Sequence, residues 1–278
     1  MWVWTKLSAV KWADAWGERF HGNPNSVISE IKGGKTVRVE VYCETEEKAS
    51  GIAEQFGGSV RELKSKNWAA LGPPKTAPVL IRDQLVISPI EDRESVQREF
   101  PGRDVIVIPA EMAFGTGDHP TTSTCLRLLA DHSQDLDAGW SFLDLGTGSG
   151  VLAIAAKMLG AGEICAFDFD TKAVEISQLN AQRNGVSDVE FFEADVFQWK
   201  NRKRFQVVAA NLFSTVLIEA LPLIEKWVKP GGRLILSGIL FEQWPDVEAK
   251  AIGCGFELIE FKKKGKWTTA HFHAPQKS

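Results

Sequence analysis

With 278 residues the chain can hold one large or two modest domains, and an apolar fraction of 44% suits a soluble globular protein with a sizeable core. A formal net charge of -4 excludes a general attraction to nucleic acid, leaving only local basic patches such as Lys262-Lys263-Lys264-Gly265-Lys266, read as a solvated hairpin. The four cysteines (Cys43, Cys125, Cys165 and Cys254) are scattered without a Cys-x-x-Cys pair, which argues against a disulfide framework or a zinc site. There is no charged leader before a long apolar stretch and no run of about eighteen apolar residues, so a cytoplasmic chain without a membrane span is expected.

Residues 1–65 read as a compact α/β unit. Trp2 to Leu7 is strand-like, and Trp12, Ala13, Trp16 and Phe20 recur at helical intervals. Ser26 to Ile31 and Val37 to Val41 alternate around Gly33-Gly34, as a hairpin does. Thr45-Glu46-Glu47-Lys48 opens a second helix with a capping residue and early acids; Gly57-Gly58 ends it before a short strand at Val60–Leu63. Strand-helix-strand-strand-helix-strand is the order of a ferredoxin-like fold. No catalytic constellation lies within it, so this unit reads as a recognition module. Residues 66–84 are assigned as a linker, on the strength of Gly72-Pro73-Pro74-Lys75-Thr76-Ala77-Pro78, with a short helix at Asn67–Leu71.

The second domain is assigned to residues 85–278. Strand-like runs at Val79–Ile87 and Val105–Ile108 form a small sheet leading into it. In Phe114-Gly115-Thr116-Gly117-Asp118-His119-Pro120-Thr121-Thr122 the glycines permit a tight loop, Asp118 or His119 caps a helix, and Pro120 suits its first position. The segment reads either as a well-capped helix start or as a lid whose amides and hydroxyls close over a charged small molecule. From Trp140 strands and helices alternate: strands at Trp140–Leu145, Ile164–Asp168, Val189–Phe192 and Phe205–Ala210, then a turn at Lys229–Arg233 into another strand. Two closing strands, Phe256–Phe261 and Trp267–Phe272, complete the sheet. Asp195 after the third strand can face an adenine ring or simply meet solvent.

The most informative stretch is Asp144-Leu145-Gly146-Thr147-Gly148-Ser149-Gly150, placed between a strand and a helix so that backbone amides can approach a small ligand. A dinucleotide motif needs its third glycine one position later, where Val151 stands. Gly-x-Gly-x-Gly preceded by an acid resembles instead the pattern of S-adenosylmethionine-dependent methyltransferases. Asp168, 22 residues past Gly146 and at a strand end, is placed to accept hydrogen bonds from a ribose. Asn211 follows the fourth strand, where ligands of open α/β sheets bind, or else caps the next helix.

Taken with Ala113 to Thr122, Phe167-Asp168-Phe169-Asp170, Ala210-Asn211-Leu212 and Lys229 to Leu240, these features closely resemble the PrmA family, whose members methylate protein 11 of the large ribosomal subunit. The resemblance runs from about Leu85 to the C-terminus and extends weakly to the first domain, which in that family recognises the ribosomal protein. It implies a class I, Rossmann-like methyltransferase domain and S-adenosylmethionine as cofactor. By matching position it implies cofactor contacts at Thr122, Gly146, Gly148, Asp168 and Asn211, with Asn211 also the catalytic candidate. The implied reaction is attack of an amine, on lysine side chains or the chain's N-terminus, on the methyl carbon of the sulfonium. The implied protein is a monomer that binds no metal, membrane or nucleic acid directly. Thr147 stands where many relatives have Cys, and Asp118 where many have Thr. A related lysine methyltransferase with a non-ribosomal target, and a non-catalytic cofactor-binding module, are the alternatives. Methylation of a nucleobase is disfavoured, because Leu212 and Phe213 replace the prolines that follow the Asn in such enzymes.

Overall fold

The computed structural model describes residues 2–276 apart from 14–15, 17–18, 21–24, 32–34, 44, 63–76 and 110–116. Two compact units divide between Lys75 and Thr76.

The first unit contains β1 (Trp2–Ala9), β2 (Ser26–Glu30), β3 (Thr36–Cys43), α1 (Glu46–Phe56) and β4 (Ser59–Glu62). Its antiparallel sheet has the order β2-β3-β1-β4, the arrangement of a ferredoxin-like unit. Period-two alternation puts Trp4, Val37, Val39 and Val41 on one face, each at most 1% exposed. Trp16, Phe20 and Phe56 surround Trp4 with ring centroids 5.7 to 6.3 Å away, and Trp4 Nε1 donates to Gly57 O at 2.7 Å. Trp2, Trp4 and Trp16 therefore belong to the core, whereas Trp12 is 55% exposed. Thr45 caps α1 by accepting from Lys48 N. The first expected helix opens as a 3-10 turn, Val10–Trp12, and Ala13, Trp16 and Arg19 are helical. Residues 14–15 and 17–18 of that helix, the Gly33-Gly34 turn and the helix expected at Asn67–Leu71 lie outside the described residues.

The second unit begins with β5 (Val79–Ile81), β6 (Leu85–Ser88), α2 (Arg93–Glu99) and β7 (Asp104–Val107). β5 and β6 pair antiparallel through a turn at Arg82–Gln84, and β7 joins parallel to β6. The segment assigned as linker up to residue 84 thus contains a strand of the second unit. Val79–Ile81 also reads as strand-like in the sequence, so the linker ends before it and not at residue 84.

The rest is α3 (Pro120–Ser133), β8 (Ser141–Leu145), α4 (Val151–Met158), β9 (Glu163–Asp168), α5 (Thr171–Arg183), β10 (Val189–Glu193), β11 (Phe205–Asn211), α6 (Ser214–Trp227), β12 (Val228–Leu240), α7 (Trp244–Gly253), β13 (Glu257–Lys264) and β14 (Trp267–His273). Seven strands form one sheet in the order β10-β9-β8-β11-β12-β14-β13, parallel up to β12 and antiparallel for the last pair. Both faces are covered, so the central strands read as apolar runs rather than alternating ones. Phe142, Val207, Ala209 and Ile235 belong to the cluster that includes α3, α4 and the small sheet. Leu143, Leu145, Val208, Ala210 and Leu236 belong to the cluster that includes α6 and α7. Each fully buried Leu, Val or Phe contributes about 1.5–3 kcal/mol, which is what holds these strand ends rigid.

Two local features differ from expectation. Lys229–Gly232 is a bulge within β12 rather than a separate turn: β11 advances from Phe205 to Val207 while β12 advances from Val228 to Arg233. Asn184, just past α5, ties the two sheets: its amide accepts from Val107 N and donates to Val107 O, both at 2.8 Å. No described helix is long and apolar enough to cross a membrane.

Candidate functional site

The registers bring three strand ends level. Phe167, Leu145 and Ala210 form one row across β9, β8 and β11, so Asp168, Gly146 and Asn211 each stand one residue beyond it. With strands about 4.8 Å apart, this row spans about 10 Å. From β8 the chain builds outward through β9 and β10, then returns to place β11 on the other side. The crevice at the carboxyl ends of β8 and β11 is the point where strand order reverses, the position at which open α/β sheets bind ligands.

Gly146 has φ +71°, and a Cβ there would stand 2.3 Å from Leu212 Cδ2. Gly150, left-handed at φ +81°, starts α4, and a Cβ there would meet Ser177 at 2.9 Å. Both positions need glycine, one for close approach to the β11 loop and one for helix packing. The amides of Gly146 and Thr147 donate to Phe167 O at 2.9 and 3.0 Å, folding the turn against β9. Gly148 N donates to Asp168 Oδ2 at 3.0 Å, and Asp170 N donates to Oδ1 at 3.1 Å.

Burial raises the Asp168 carboxyl above its usual range, and the two backbone donors oppose that shift. Asp144, 1% exposed beneath the turn, is pushed up to about 7 by burial, while the Thr147 hydroxyl, donating to Oδ2 at 2.7 Å, pulls the other way. Thr147 therefore has a definite job here, satisfying a buried carboxyl.

On the opposite rim Asn211 Nδ2 donates to Thr122 Oγ1 across a long 3.5 Å, and Asn211 Oδ1 is buried without a partner. Thr122 is 1% exposed in the first turn of α3, whose first amides have no intrahelical acceptor and favour an anion. Among the described residues no group of three or more His, Cys, Asp or Glu could hold a metal ion.

Of the residues expected at a site, Gly148 and Asp168 are brought into contact, as are Thr122 and Asn211, with Gly146 between them in the strand row. Asp195 accepts from Phe197 N and Gln198 Nε2, one on each carboxylate oxygen, and so closes its own turn. Residues 114–116, the first three of the expected lid, lie outside the described residues. Leu212 makes contacts that the sequence does not show. It fills the space over Gly146, and its carbonyl comes so close to Gly238 that a Cβ there would be 2.4 Å away. No periodicity or motif predicts such a contact, because it joins three separate loops.

A glycine turn that lets the backbone approach closely can hold a methionine moiety, a buried acid at the end of β9 can hold a ribose, and an orphaned amide oxygen can hold an amino group. With the antiparallel closing pair, this defines a class I, Rossmann-like methyltransferase fold. Comparison with known proteins agrees. Residues 28–275 match the family described as ribosomal protein L11 methyltransferase (PrmA). The chain is 42% identical over 171 residues to the ribosomal protein L11 methyltransferase of Desulfosudis oleivorans, covering 60% of this chain and 55% of that protein. It is 38% identical over 213 residues to that of Desulforapulum autotrophicum, covering 75% and 67%. The crystal structure of a ribosomal protein L11 methylase from Lactobacillus delbrueckii subsp. bulgaricus superposes with a TM-score of 0.64 at 25% identity, over 72% of this chain and 99% of that one. The matched stretch thus spans little more than half of the first relative's length. The chain belongs to the ribosomal protein L11 methyltransferase (PrmA) family.

Proposed function

We propose that this protein transfers methyl groups from S-adenosylmethionine to amino groups of protein 11 of the large ribosomal subunit, at lysine side chains and the N-terminal amine. The observation that carries the proposal is the row of Asp168, Gly146 and Asn211 at the strand-order reversal, with Thr122 opposite Asn211. In this reading the donor's sulfonium supplies an activated methyl group. Asp168 accepts the ribose hydroxyls, and the turn at Gly146 and Gly148 lets the backbone lie close to the donor. The amino end of α3 at Thr122 receives the donor's carboxylate. Asn211 Oδ1 accepts an N–H, either from the donor's amino group or from the incoming amine. Because the leaving group is already good, the protein's main tasks are alignment and provision of an unprotonated amine. A desolvated pocket lowers an amine's pKa and so favours that form.

An assay with radiolabelled methyl donor and a cell extract, resolved by size, tests the proposal. Label on one small ribosomal protein is the expected result, and label on RNA instead would end it.

The first unit serves as the recognition module in this proposal, with a ribosomal protein as partner, a cytoplasmic setting, a monomeric enzyme and no direct contact to nucleic acid. One face of its sheet carries Leu7 and Val27, 59% and 45% exposed, beside Arg38. A cleft of about 480 Å³ is lined by Thr5, Lys6, Leu7, Arg38, Gly58 and Ser59. The double variant Leu7→Glu, Arg38→Glu should raise KM for the protein substrate by about tenfold, as loss of an anchor at an interface does. Its cofactor affinity and kcat should stay unchanged. Equal KM values would remove the recognition role from this face.

A further inference from the structure

We propose that His119 is a positioning residue for methyl transfer, acting as a neutral cap on α3 that holds Thr122 against Asn211. What the Thr122–Asn211 pair does rests on the function proposed above; the cap itself is a matter of geometry.

Helix N-caps are normally Ser, Thr, Asp or Asn, whose oxygens accept whatever the pH. Here the cap is an imidazole in extended backbone, φ -61° and ψ 138°. His119 Nδ1 accepts from Thr121 N at 3.4 Å and lies 2.7 Å from Thr121 Oγ1. Nδ1 has one lone pair, so accepting there assigns the ring proton to Nε2 and requires a neutral ring. The ring packs edge-on against Trp267 of β14 with centroids 5.2 Å apart, which fixes its orientation. The charged groups facing it are Asp118, on the preceding residue, and Lys266, from the turn between β13 and β14. These two oppose each other, and burial, the largest cause, lowers the imidazole's pKa below 6.5.

Protonation would put a hydrogen on Nδ1 that still reaches the Thr121 hydroxyl, but the Thr121 amide would lose its acceptor. The consequence stays local, because the next residues are held independently. Ser123 Oγ and Thr124 Oγ1 donate to Pro120 O, and Lys264 Nζ donates to Ser123 Oγ. What loosens is Thr121 and, beside it, Thr122, whose hydroxyl is the only hydrogen-bond partner of Asn211 Nδ2 among the described residues. A cap that works only while neutral therefore links the protonation of one ring to the geometry of the methyl-transfer site.

The test uses the full chain, with calorimetry of S-adenosylhomocysteine between pH 5 and 8 and amide exchange at Thr121. His119→Ala should bind about fivefold more weakly at pH 7.5, the size of a lost cap, and Thr121 should exchange faster. His119→Asn restores a cap that does not titrate. It should bind within about twofold of wild type at pH 7.5 and lack the wild type's loss of affinity at acid pH, whose midpoint lies below 6.5. Identical pH profiles for wild type and His119→Asn, or unchanged binding by His119→Ala, would overturn the inference. If the wild type bound no S-adenosylhomocysteine, the function proposed above would fall. Thr121 exchange would then still decide on the cap, with equal protection in wild type and His119→Ala refuting it.

Discussion

Asp168→Ala is expected to weaken binding of S-adenosylmethionine by roughly 100-fold. Each carboxylate oxygen accepts about two hydrogen bonds. Gly148 N donates to Oδ2 and Asp170 N to Oδ1, and the carboxyl keeps acceptor capacity for the ribose hydroxyls. A hydrogen bond to a charged acceptor is worth about 1.5–3 kcal/mol, and water recovers part of what two would lose, so about 3 kcal/mol remains. Asp168→Asn keeps one acceptor and should fall between, at about tenfold. Calorimetry with S-adenosylhomocysteine checks this, with melting temperatures to confirm that the turn persists. Unchanged affinity in folded Asp168→Ala would refute the ribose assignment.

Acidification should destabilise the second unit through His132 and His271. These rings lie 3.9 Å apart between the end of α3 and β14, 6% and 4% exposed, each with a buried Nε2 lacking a partner. Burial, reinforced by Arg233, His273 and Lys262, pushes both down to about 3 from 6.5. Above pH 6.5 both rings are neutral, folded or unfolded, and the stability is fully present. As pH falls below 6.5 the unfolded chain takes up protons that the folded chain refuses, and stability drains away until about pH 3. Each ring costs about 1.4 kcal/mol per pH unit in that window, hence roughly 2 kcal/mol each between pH 6.5 and 5. Asp144 works in the opposite direction, since its raised pKa favours the folded state at low pH and loses that contribution as pH rises through about 7. One carboxyl offsets about one of the two rings. Comparison with His271→Phe separates the effects. Its unfolding free energy should drop about 2 kcal/mol less than wild type over the same interval. Parallel curves would mean that the rings are not held neutral.

The fold of the second unit was largely legible because its strands are apolar on both faces and its helices carry caps and periodic cores. Five parallel strands closed by an antiparallel pair followed from that alternation. The glycine spacing with Val151 was equally readable, since only certain positions in the turn tolerate a side chain. Less legible was a feature held by distant partners, the bulge at Lys229–Gly232, which strand pairing sets.

By itself, then, the sequence determined the element order, the candidate residues Thr122, Gly146, Gly148, Asp168 and Asn211, and the family to which the chain belongs, because each depends on local patterns of residue type. Only the tertiary structure decided which of these meet. Strand register levels Asp168, Gly146 and Asn211, Leu212 closes over Gly146, and His119 caps the turn that presents Thr122. The His132–His271 pair joins residues far apart in the chain. Such contacts depend on how strands align and helices dock, and no spacing along the chain encodes that alignment.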